Sequence, residues 1–182
     1  MRYVAFLRAI NVGGHTVTMA RLKSLFEGLD LARVETFLAS GNVLFESPSK
    51  ATAALERRVE QALAGALGYE VATFLRTDRE AAAAAEYAAF PAARVESAGA
   101  YAVAFLKLPP AAAAAKRLKA LENGCDEFHV HGREVYWLCR TRQSESTFSN
   151  AVLEKTLGAP STLRGLSTVR KLAAKYPPRP SR

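Results

Sequence analysis

The chain has 182 residues, of which 49% are hydrophobic, and it carries a formal net charge of +8. That hydrophobic share is enough to fill a core and excludes wholesale disorder, and no apolar run reaches the roughly 18 residues that a membrane-spanning helix needs. The N-terminus lacks the long apolar segment of a signal peptide, so we expect a cytoplasmic protein without a membrane partner. Two cysteines are too few for a disulfide framework.

The first 77 residues predict one ferredoxin-like half. Apolar runs predict strands at residues 3–7, 34–40, 43–47 and 71–76, and amphipathic stretches predict helices at 19–29 and 48–67. Thr18 is positioned to cap the first helix, Pro48 occupies the first position of the second, and Gly68 ends it. Gly41-Asn42 between the middle strands is a two-residue hairpin signal. The resulting β-α-β-β-α-β order is that of a split βαβ fold.

The same order of elements recurs over residues 99–176. Strands are predicted at 101–107, 127–131, 134–140 and 162–164, and helices at 109–122, at 150–157 and from a Ser167 cap onwards. Thr77 and Glu80 form a capping box for an alanine-rich helix that stops before Pro91, so residues 78–98 are expected to link the halves. Residues 177–182 are expected to form a disordered tail. We therefore predict an α+β fold of two ferredoxin-like (βαββαβ) halves in one chain, with an extra C-terminal helix.

The second predicted hairpin has a register that can be derived from its side chains. A turn at Gly132-Arg133 gives four cross-strand pairs, which are Val130–Val135, Phe128–Trp137, His131–Glu134 and His129–Tyr136. Two of these pairs are apolar and lie on one face, while the pairs that contain histidine lie on the other. This segregation of side chains favours that register over a slip by one residue.

Three motifs resemble those of the DUF1697 family, a bacterial family of unknown function. They are Arg8-Ala-Ile-Asn-Val-Gly-Gly14, Ser40-Gly-Asn-Val-Leu-Phe45 and Thr162-Leu-Arg-Gly-Leu-Ser-Thr-Val169. The resemblance extends over essentially the whole chain and implies the same double α+β fold, but it supplies no activity. The first motif has Ala9 where the family pattern has Gly. The third has Leu163, Gly165, Leu166 and Ser167 where the pattern has Thr, Asn, Trp and Asn.

Topology brings the first two motifs together. The first two strands of a right-handed β-α-β unit are parallel, so the loop after the first strand and the turn after the second emerge at one sheet edge. Arginine, asparagine and glycine amides beside a helix N-terminus predict a site for a small anionic or phosphorylated ligand. With two residues added from the third motif, the predicted ligand-binding residues are Arg8, Asn11, Gly13, Gly14, His15, Ser40, Gly41, Asn42, Arg164 and Thr168. The glycines and asparagines are equally suited to shaping the turns without any ligand.

No motif specifies a reaction. Neither a P-loop nor G-x-G-x-x-G is present, so we predict no cofactor, and no catalytic constellation can be identified. His129 and His131 with Glu134 have the donor types of a metal site, but histidines on a solvated sheet face are commoner, and no metal is predicted. Cys139 is assigned to the core, and Cys125 lacks an identified base that would make it a nucleophile.

Two other classes of function remain open. Dispersed Arg and Lys, densest from Arg164 to the C-terminus with Arg170, Lys171 and Lys175 on the last helix, suit a nucleic-acid-associated protein. However, Tyr3 and Phe6 point to opposite faces of their strand, which disfavours the base-stacking mode of ferredoxin-like RNA-binding modules. The other class is an assembly or interaction module whose sheet edges pair with another chain. The oligomeric state is not specified by the sequence.

Overall fold

A computed structural model describes residues 1–8, 10–11, 16–38 and 41–179 of the chain. Its strands are β1 (Arg2–Leu7), β2 (Ala32–Phe37), β3 (Asn42–Glu46), β4 (Thr73–Thr77), β5 (Ala100–Leu106), β6 (Asp126–His131), β7 (Glu134–Cys139) and β8 (Ser161–Gly165). Its helices are α1 (Met19–Glu27), α2 (Thr52–Leu67), α3 (Asp78–Glu86), α4 (Ala92–Glu96), α5 (Ala112–Lys119), α6 (Asn150–Leu157) and α7 (Leu166–Lys175). Among the described residues, no helix has both the length and the apolar character needed to cross a bilayer.

Two four-stranded sheets form, with strand orders β2-β3-β1-β4 and β6-β7-β5-β8. Every neighbouring pair of strands in both sheets is antiparallel. Because β1 and β2 both run antiparallel to β3, they run parallel to each other, as a β-α-β unit requires. The prediction of an α+β fold with two ferredoxin-like halves is confirmed.

Two compact units divide the chain. The first comprises Met1–Ala81 and the segment from Pro177, and the second comprises Ala82–Tyr176. In each unit alternate residues of the strands face the helices, as the two-residue period of a strand dictates. The first core contains Tyr3, Ala5, Leu7, Phe45, Phe26 and Val59 among others. The second contains Ala102, Ala104, Trp137, Cys139, Leu118 and Leu153 among others.

Local capping and register predictions were largely confirmed. Thr18 caps α1 by accepting a hydrogen bond from the Arg21 amide at 3.1 Å, and Thr77 and Glu80 form the reciprocal capping box. Gly68 ends α2 in the left-handed conformation, with a φ of 78°. All four predicted pairs of the β6–β7 hairpin are observed. These successes share a cause, because each interaction is made between residues close in sequence.

The predicted two-residue turn at Gly41-Asn42 was wrong. Phe37 pairs with Asn42, so the β2–β3 connection comprises residues 38–41, and Asn42 belongs to β3. Leu38 and Gly41 both have left-handed backbones, with φ of 59° and 73°. The Asn42 side-chain amide closes this longer loop by donating to the Phe37 carbonyl oxygen at 2.9 Å.

Three predicted helix starts were also wrong. The helix α5 begins at Ala112 and not at Pro109, because Ala111 before it has an extended backbone, with a ψ of 147°. The helix α2 begins at Thr52 and not at Pro48, because the hydroxyls of Ser47 and Ser49 accept hydrogen bonds from amides two residues onward and form turns instead. The helix α7 begins at Leu166, so Ser167 lies inside it and is not its cap. The segment expected to link the halves contains two short helices, α3 and α4.

The described part of the expected tail is held by polar contacts within the first unit. The Arg2 guanidinium donates a hydrogen bond to the Pro177 carbonyl oxygen. Arg179 forms an ion pair with Glu46, and its backbone amide donates to the Asp78 carboxylate at 3.3 Å. No local pattern predicts this attachment, because the partners of Arg179 lie about 100 or more residues earlier in the chain.

Candidate functional site

The two loops predicted to be neighbours do meet at one edge of the first sheet. The Leu7 amide at the end of β1 donates to the Gly41 carbonyl oxygen at 2.8 Å. A Cβ built on Gly41 would lie 3.2 Å from the Cβ of Ile10 and 3.3 Å from that of Leu7. The loop after β1 therefore packs directly against the hairpin loop, and we call this surface the loop edge.

Both asparagines of the loop edge brace its backbone. Asn11 has a left-handed backbone with a φ of 59°, and its Oδ1 accepts a hydrogen bond from the Val17 amide at 2.6 Å. Asn42 is fully buried, and its Nδ2 donates to the Phe37 carbonyl oxygen. These contacts give each asparagine a role in shaping its loop, which is the alternative to ligand binding that the sequence left open.

The cationic side of the loop edge comes from Arg8 and the start of α1. Arg8 is partly buried, and its backbone amide donates to the Ala72 carbonyl oxygen at 2.8 Å. The first turn of α1 contains Arg21 and no acidic residue. Because a helix N-terminus carries a partial positive charge, the absence of a nearby carboxylate in that turn leaves this charge uncompensated there.

Backbone strain is concentrated in the first unit. Among the described residues, four non-glycine residues have positive φ, namely Asn11, Asp30, Arg33 and Leu38. All four belong to the first unit, and Asn11 and Leu38 lie in the two loops of the loop edge. Leucine is unusual in this backbone conformation, and 52% of Leu38 is exposed.

The other predicted ligand residues fall into two groups. Gly13, Gly14, His15 and Ser40 are outside the described residues. Arg164 and Thr168 belong to the second unit, in β8 and α7. Arg164 is 8% exposed, and its Nη1 donates to the Thr162 hydroxyl at 2.7 Å and to the Leu163 carbonyl oxygen at 2.9 Å. Burial lowers the pKa of Arg164 to about 10, so its guanidinium is charged at neutral pH.

The family model of a protein of unknown function, DUF1697, matches residues 1–136. This chain belongs to the DUF1697 family. A solved structure, that of the conserved bacterial protein SP0830 from Streptococcus pneumoniae, is similar to it with a TM-score of 0.71 and 24% sequence identity, over 96% of this chain and 97% of that one. At this level of identity the similarity supports a shared fold. No curated protein matches the chain.

The part of the chain that matches DUF1697 contains the whole loop edge. It also contains the first two sequence motifs and ends inside β7, before the third motif. The third motif is the one in which Leu163, Gly165, Leu166 and Ser167 depart from the family pattern. The family match therefore covers the loop edge completely and does not reach Arg164 or Thr168.

A second buried arginine was missed from the sequence of this DUF1697 protein. Arg76 is fully buried in β4 and pairs with Val4, just as Arg164 in β8 pairs with Val103. Each arginine donates from Nη1 to the carbonyl oxygen of the leucine before it. The signal was the Leu-Arg pair that occurs in both predicted fourth strands.

The histidines of the second hairpin contact aromatic side chains. His129 Nε2 lies 2.9 Å from the Tyr87 hydroxyl oxygen, and the His131 ring stacks on Tyr87 at 3.9 Å between centroids. Tyr87 follows α3, so the sheet face expected to be solvated is in part covered. Burial, followed by the charge of His131, lowers the pKa of His129 below its usual value.

A cysteine pair was also missed. Cys125 Sγ and Cys139 Sγ are 3.5 Å apart, and both thiols are free. With the carboxylate of Asp126 they form a group whose candidate ligand atoms all lie within 4.8 Å of one another. Extending the predicted hairpin register by two pairs beyond Phe128–Trp137 places Asp126 opposite Cys139, and that extension would have revealed the proximity.

The central strands of the first sheet do not present aromatic residues to solvent. Tyr3 and Phe6 of β1 and Phe45 of β3 are all fully buried. RNA-binding modules of this fold stack bases on exposed aromatics from these two strands. This burial argues against that mode of nucleic-acid binding.

Proposed function

We propose that this DUF1697 protein binds a small anionic ligand, carrying a phosphate or carboxylate group, at the loop edge of the first unit. The observation that carries the proposal is that each of the two loops contains a left-handed non-glycine residue. Asn11 and Leu38, one in each loop, hold conformations that cost free energy. Strain of this kind persists where surrounding contacts over-determine it, and it is commonest at ligand sites and switch regions.

Arg8 is the proposed anion contact. It follows β1 directly, so its backbone position is fixed by the sheet, while its side chain is partly exposed. A guanidinium can donate two parallel hydrogen bonds to a phosphate or carboxylate. The positive end of α1 adds a second source of attraction for an anion.

Asn11 is the proposed positioning residue. Its hydrogen bond to the Val17 amide spans the segment between the two residues, which contains Gly13 and Gly14. The brace fixes the ends of the glycine-containing segment. We expect Gly13, Gly14, His15 and Ser40 to supply amide and side-chain donors to the ligand.

The test is a thermal-shift screen of the full chain with inorganic phosphate, nucleotides, sugar phosphates and dicarboxylates, followed by calorimetry of each hit. We expect Arg8→Ala to weaken binding by about tenfold or more, since one charge-assisted hydrogen bond contributes about 1.5–3 kcal/mol. Arg57→Ala is the matched control, because it removes the same charge from an exposed position on α2. Equal affinity in the two variants would contradict the proposal.

Asn11→Asp separates positioning from electrostatics. The carboxylate keeps an acceptor for the Val17 amide, so the melting temperature should change little, while its negative charge should repel an anionic ligand. We expect unchanged stability and about tenfold weaker binding. Binding that is unaffected by Asn11→Asp would place the ligand away from the loop edge.

A further inference from the structure

The cysteine pair lies at the open end of the β6–β7 hairpin, in the second unit. Cys139 is the last residue of β7, and Cys125 immediately precedes β6. The Arg140 amide donates to the Cys125 carbonyl oxygen at 2.9 Å, and Asp126 pairs with Cys139. The backbone therefore holds the two sulfur atoms close, at 3.5 Å, compared with the roughly 2.05 Å of a disulfide bond.

The two thiols have unequal environments. Cys139 is fully buried in the core of the second unit, whereas Cys125 is partly exposed. The Thr141 hydroxyl lies 3.3 Å from Cys125 Sγ, and this hydrogen bond is the main cause that lowers the pKa of the Cys125 thiol. Burial raises the pKa of the Cys139 thiol. Cys125 is thus the more accessible and more readily ionised of the two.

The carboxylate of Asp126 is already committed to the fold. Its Oδ1 accepts from the Trp137 indole at 2.8 Å, and both of its oxygens accept from the Ser146 hydroxyl at 2.9 Å. Binding a metal through Asp126 would compete with these hydrogen bonds. The chemistry that the arrangement favours is therefore that of the two sulfur atoms alone.

We propose that Cys125 and Cys139 form a dithiol that reduces hydroperoxides and closes to an intramolecular disulfide. The Cys125 thiolate attacks one peroxide oxygen, the O–O bond breaks, and the departing oxygen takes up a proton to leave as water or an alcohol. Cys125 is then a sulfenic acid. The Cys139 sulfur attacks Cys125 Sγ, the S–S bond forms, and the S–O bond breaks to release water with the proton of Cys139. The thiol pair supplies two electrons and the peroxide accepts them.

The local backbone permits this closure. Cys125 lies in a bend and not in a strand, with its amide donating to the Asn123 Oδ1 at 2.7 Å. Closure shortens the distance between the sulfur atoms by about 1.5 Å, and Cys125, which lies outside the strand, can move by this amount while the hydrogen bonds within β6 and β7 stay in place. Cys139, on the strand, stays in place.

The test uses the full chain, reduced and then treated with one equivalent of hydrogen peroxide. We expect intact-mass analysis to show a loss of about two mass units, and peptide mapping to join Cys125 to Cys139 within one chain. Cys125→Ser should slow peroxide consumption by about tenfold or more. Cys139→Ser should still consume peroxide but accumulate a sulfenic acid on Cys125, trapped by dimedone.

Controls keep each result interpretable. Circular dichroism and melting of both variants establish that they fold, and Cys139→Ala is the substitute if the serine destabilises the core. The wild-type mass result depends on no variant. Exclusively intermolecular disulfides, or peroxide consumption that is the same in wild type and folded Cys125→Ser, would overturn the proposal. Stoichiometric zinc binding by the reduced pair that blocks its oxidation would support a metal site in its place.

Discussion

The two units of the protein share a scaffold and differ at the edge where their first loops emerge. In the first unit the Leu7 amide donates to the Gly41 carbonyl oxygen at 2.8 Å, and in the second the Leu106 amide donates to the Arg133 carbonyl oxygen at 2.9 Å. Each bond joins the end of the first strand to the turn of the hairpin. This hydrogen bond is therefore part of the repeated fold and is not specific to the loop edge.

The loops around that shared bond differ. The second unit has a two-residue turn at Gly132-Arg133, and its first strand is followed by Pro109-Pro110. The first unit has a hairpin loop over residues 38–41 and a polar, glycine-containing segment over residues 8–17. The ligand binding that we propose for the first unit depends on its loops, because the sheets beneath them have the same strand order.

The largest predicted effect concerns a glycine found at a close backbone approach in the second unit. A Cβ on Gly99 would lie 2.2 Å from the carbonyl oxygen of Thr141, a contact that requires the backbone to move. We expect Gly99→Ala to lower the free energy of unfolding by about 3 kcal/mol or more, since overpacking against rigid backbone is among the costliest substitutions. Urea denaturation provides the measurement.

The matched control lies in the first unit. Gly65 lies in the last turn of α2, and a Cβ there would meet nothing within 4 Å. Gly65→Ala should stabilise the protein by about 0.5–1 kcal/mol through helix propensity. Equal changes in the free energy of unfolding of the two variants would mean that the close approach at Gly99 does not destabilise Gly99→Ala.

The next prediction compares alanine substitutions at the two hairpin glycines. Gly41 and Gly132 are both left-handed, with φ of 73° and 57°, but only Gly41 is crowded by side-chain carbons, at 3.2 and 3.3 Å. We expect Gly132→Ala to cost about 1 kcal/mol for its backbone conformation and Gly41→Ala to cost about 2 kcal/mol for conformation and crowding together. Thermal denaturation of the two variants measures the difference. Equal losses would mean that the loop edge is no more tightly packed than its counterpart.

Prediction from the sequence succeeded where the deciding contacts were local. The register of the second hairpin followed from alternation alone, because a slip by one residue would bury His129 and expose Phe128. The first hairpin was harder. Its loop depends on a left-handed Leu38, and no propensity rule places leucine there.

The juxtaposition of the two loops was predicted from the sequence, but the hydrogen bonds of their asparagines were not. Topology placed the two loops together, and the bond from Leu7 to Gly41 agrees with that inference. Asn11 accepts and Asn42 donates a hydrogen bond within the fold. Which atom of each side chain forms that bond depends on the lengths of the two loops, and the sequence pattern does not specify those lengths. Cys125 and Cys139 were missed because the hairpin register was not extended as far as Asp126.

A third prediction concerns how each unit protects an edge strand. In the first unit the carboxylates of Glu56 and Glu60 on α2 accept hydrogen bonds from the Leu75 and Thr73 amides of β4, at 2.9 and 2.8 Å. In the second, Glu154 accepts from the Ser161 amide of β8 at 2.7 Å. Amides occupied in this way are not available to pair with another chain, which argues against self-assembly through those positions.

Removing these carboxylates should affect the first unit more. Glu56 is 4% exposed, so Glu56→Ala leaves a buried amide without this acceptor and should cost about 2 kcal/mol. Glu154 is partly exposed, and Glu154→Ala should cost about 1 kcal/mol because water can replace the lost acceptor. Glu56→Gln, which keeps an acceptor oxygen, should lose less than Glu56→Ala in the same urea titration. The opposite order would show that packing of the side chain and not its hydrogen bond stabilises the strand.

The smallest predicted effect is a pH dependence of stability that arises in the second unit. Burial, together with the nearby charge of His131, lowers the pKa of His129 below its unfolded value of 6.5. The unfolded chain therefore binds more protons than the folded chain as the pH falls through that range. The contribution of neutral His129 to the stability is fully present above pH 6.5 and is lost as the pH drops towards the folded pKa of His129.

Between about pH 7.5 and about pH 5.5, we expect the wild type to lose a few tenths of a kcal/mol more than His129→Gln. Hydrogen exchange, corrected for the intrinsic effect of pH, should place this loss in β6 and β7 and leave β2 and β3 unaffected, because His129 contacts Tyr87 within the second unit. A loss that is equal in both hairpins would mean that the two units unfold as one cooperative body, and a loss confined to the second would mean that each sheet responds to its own side chains.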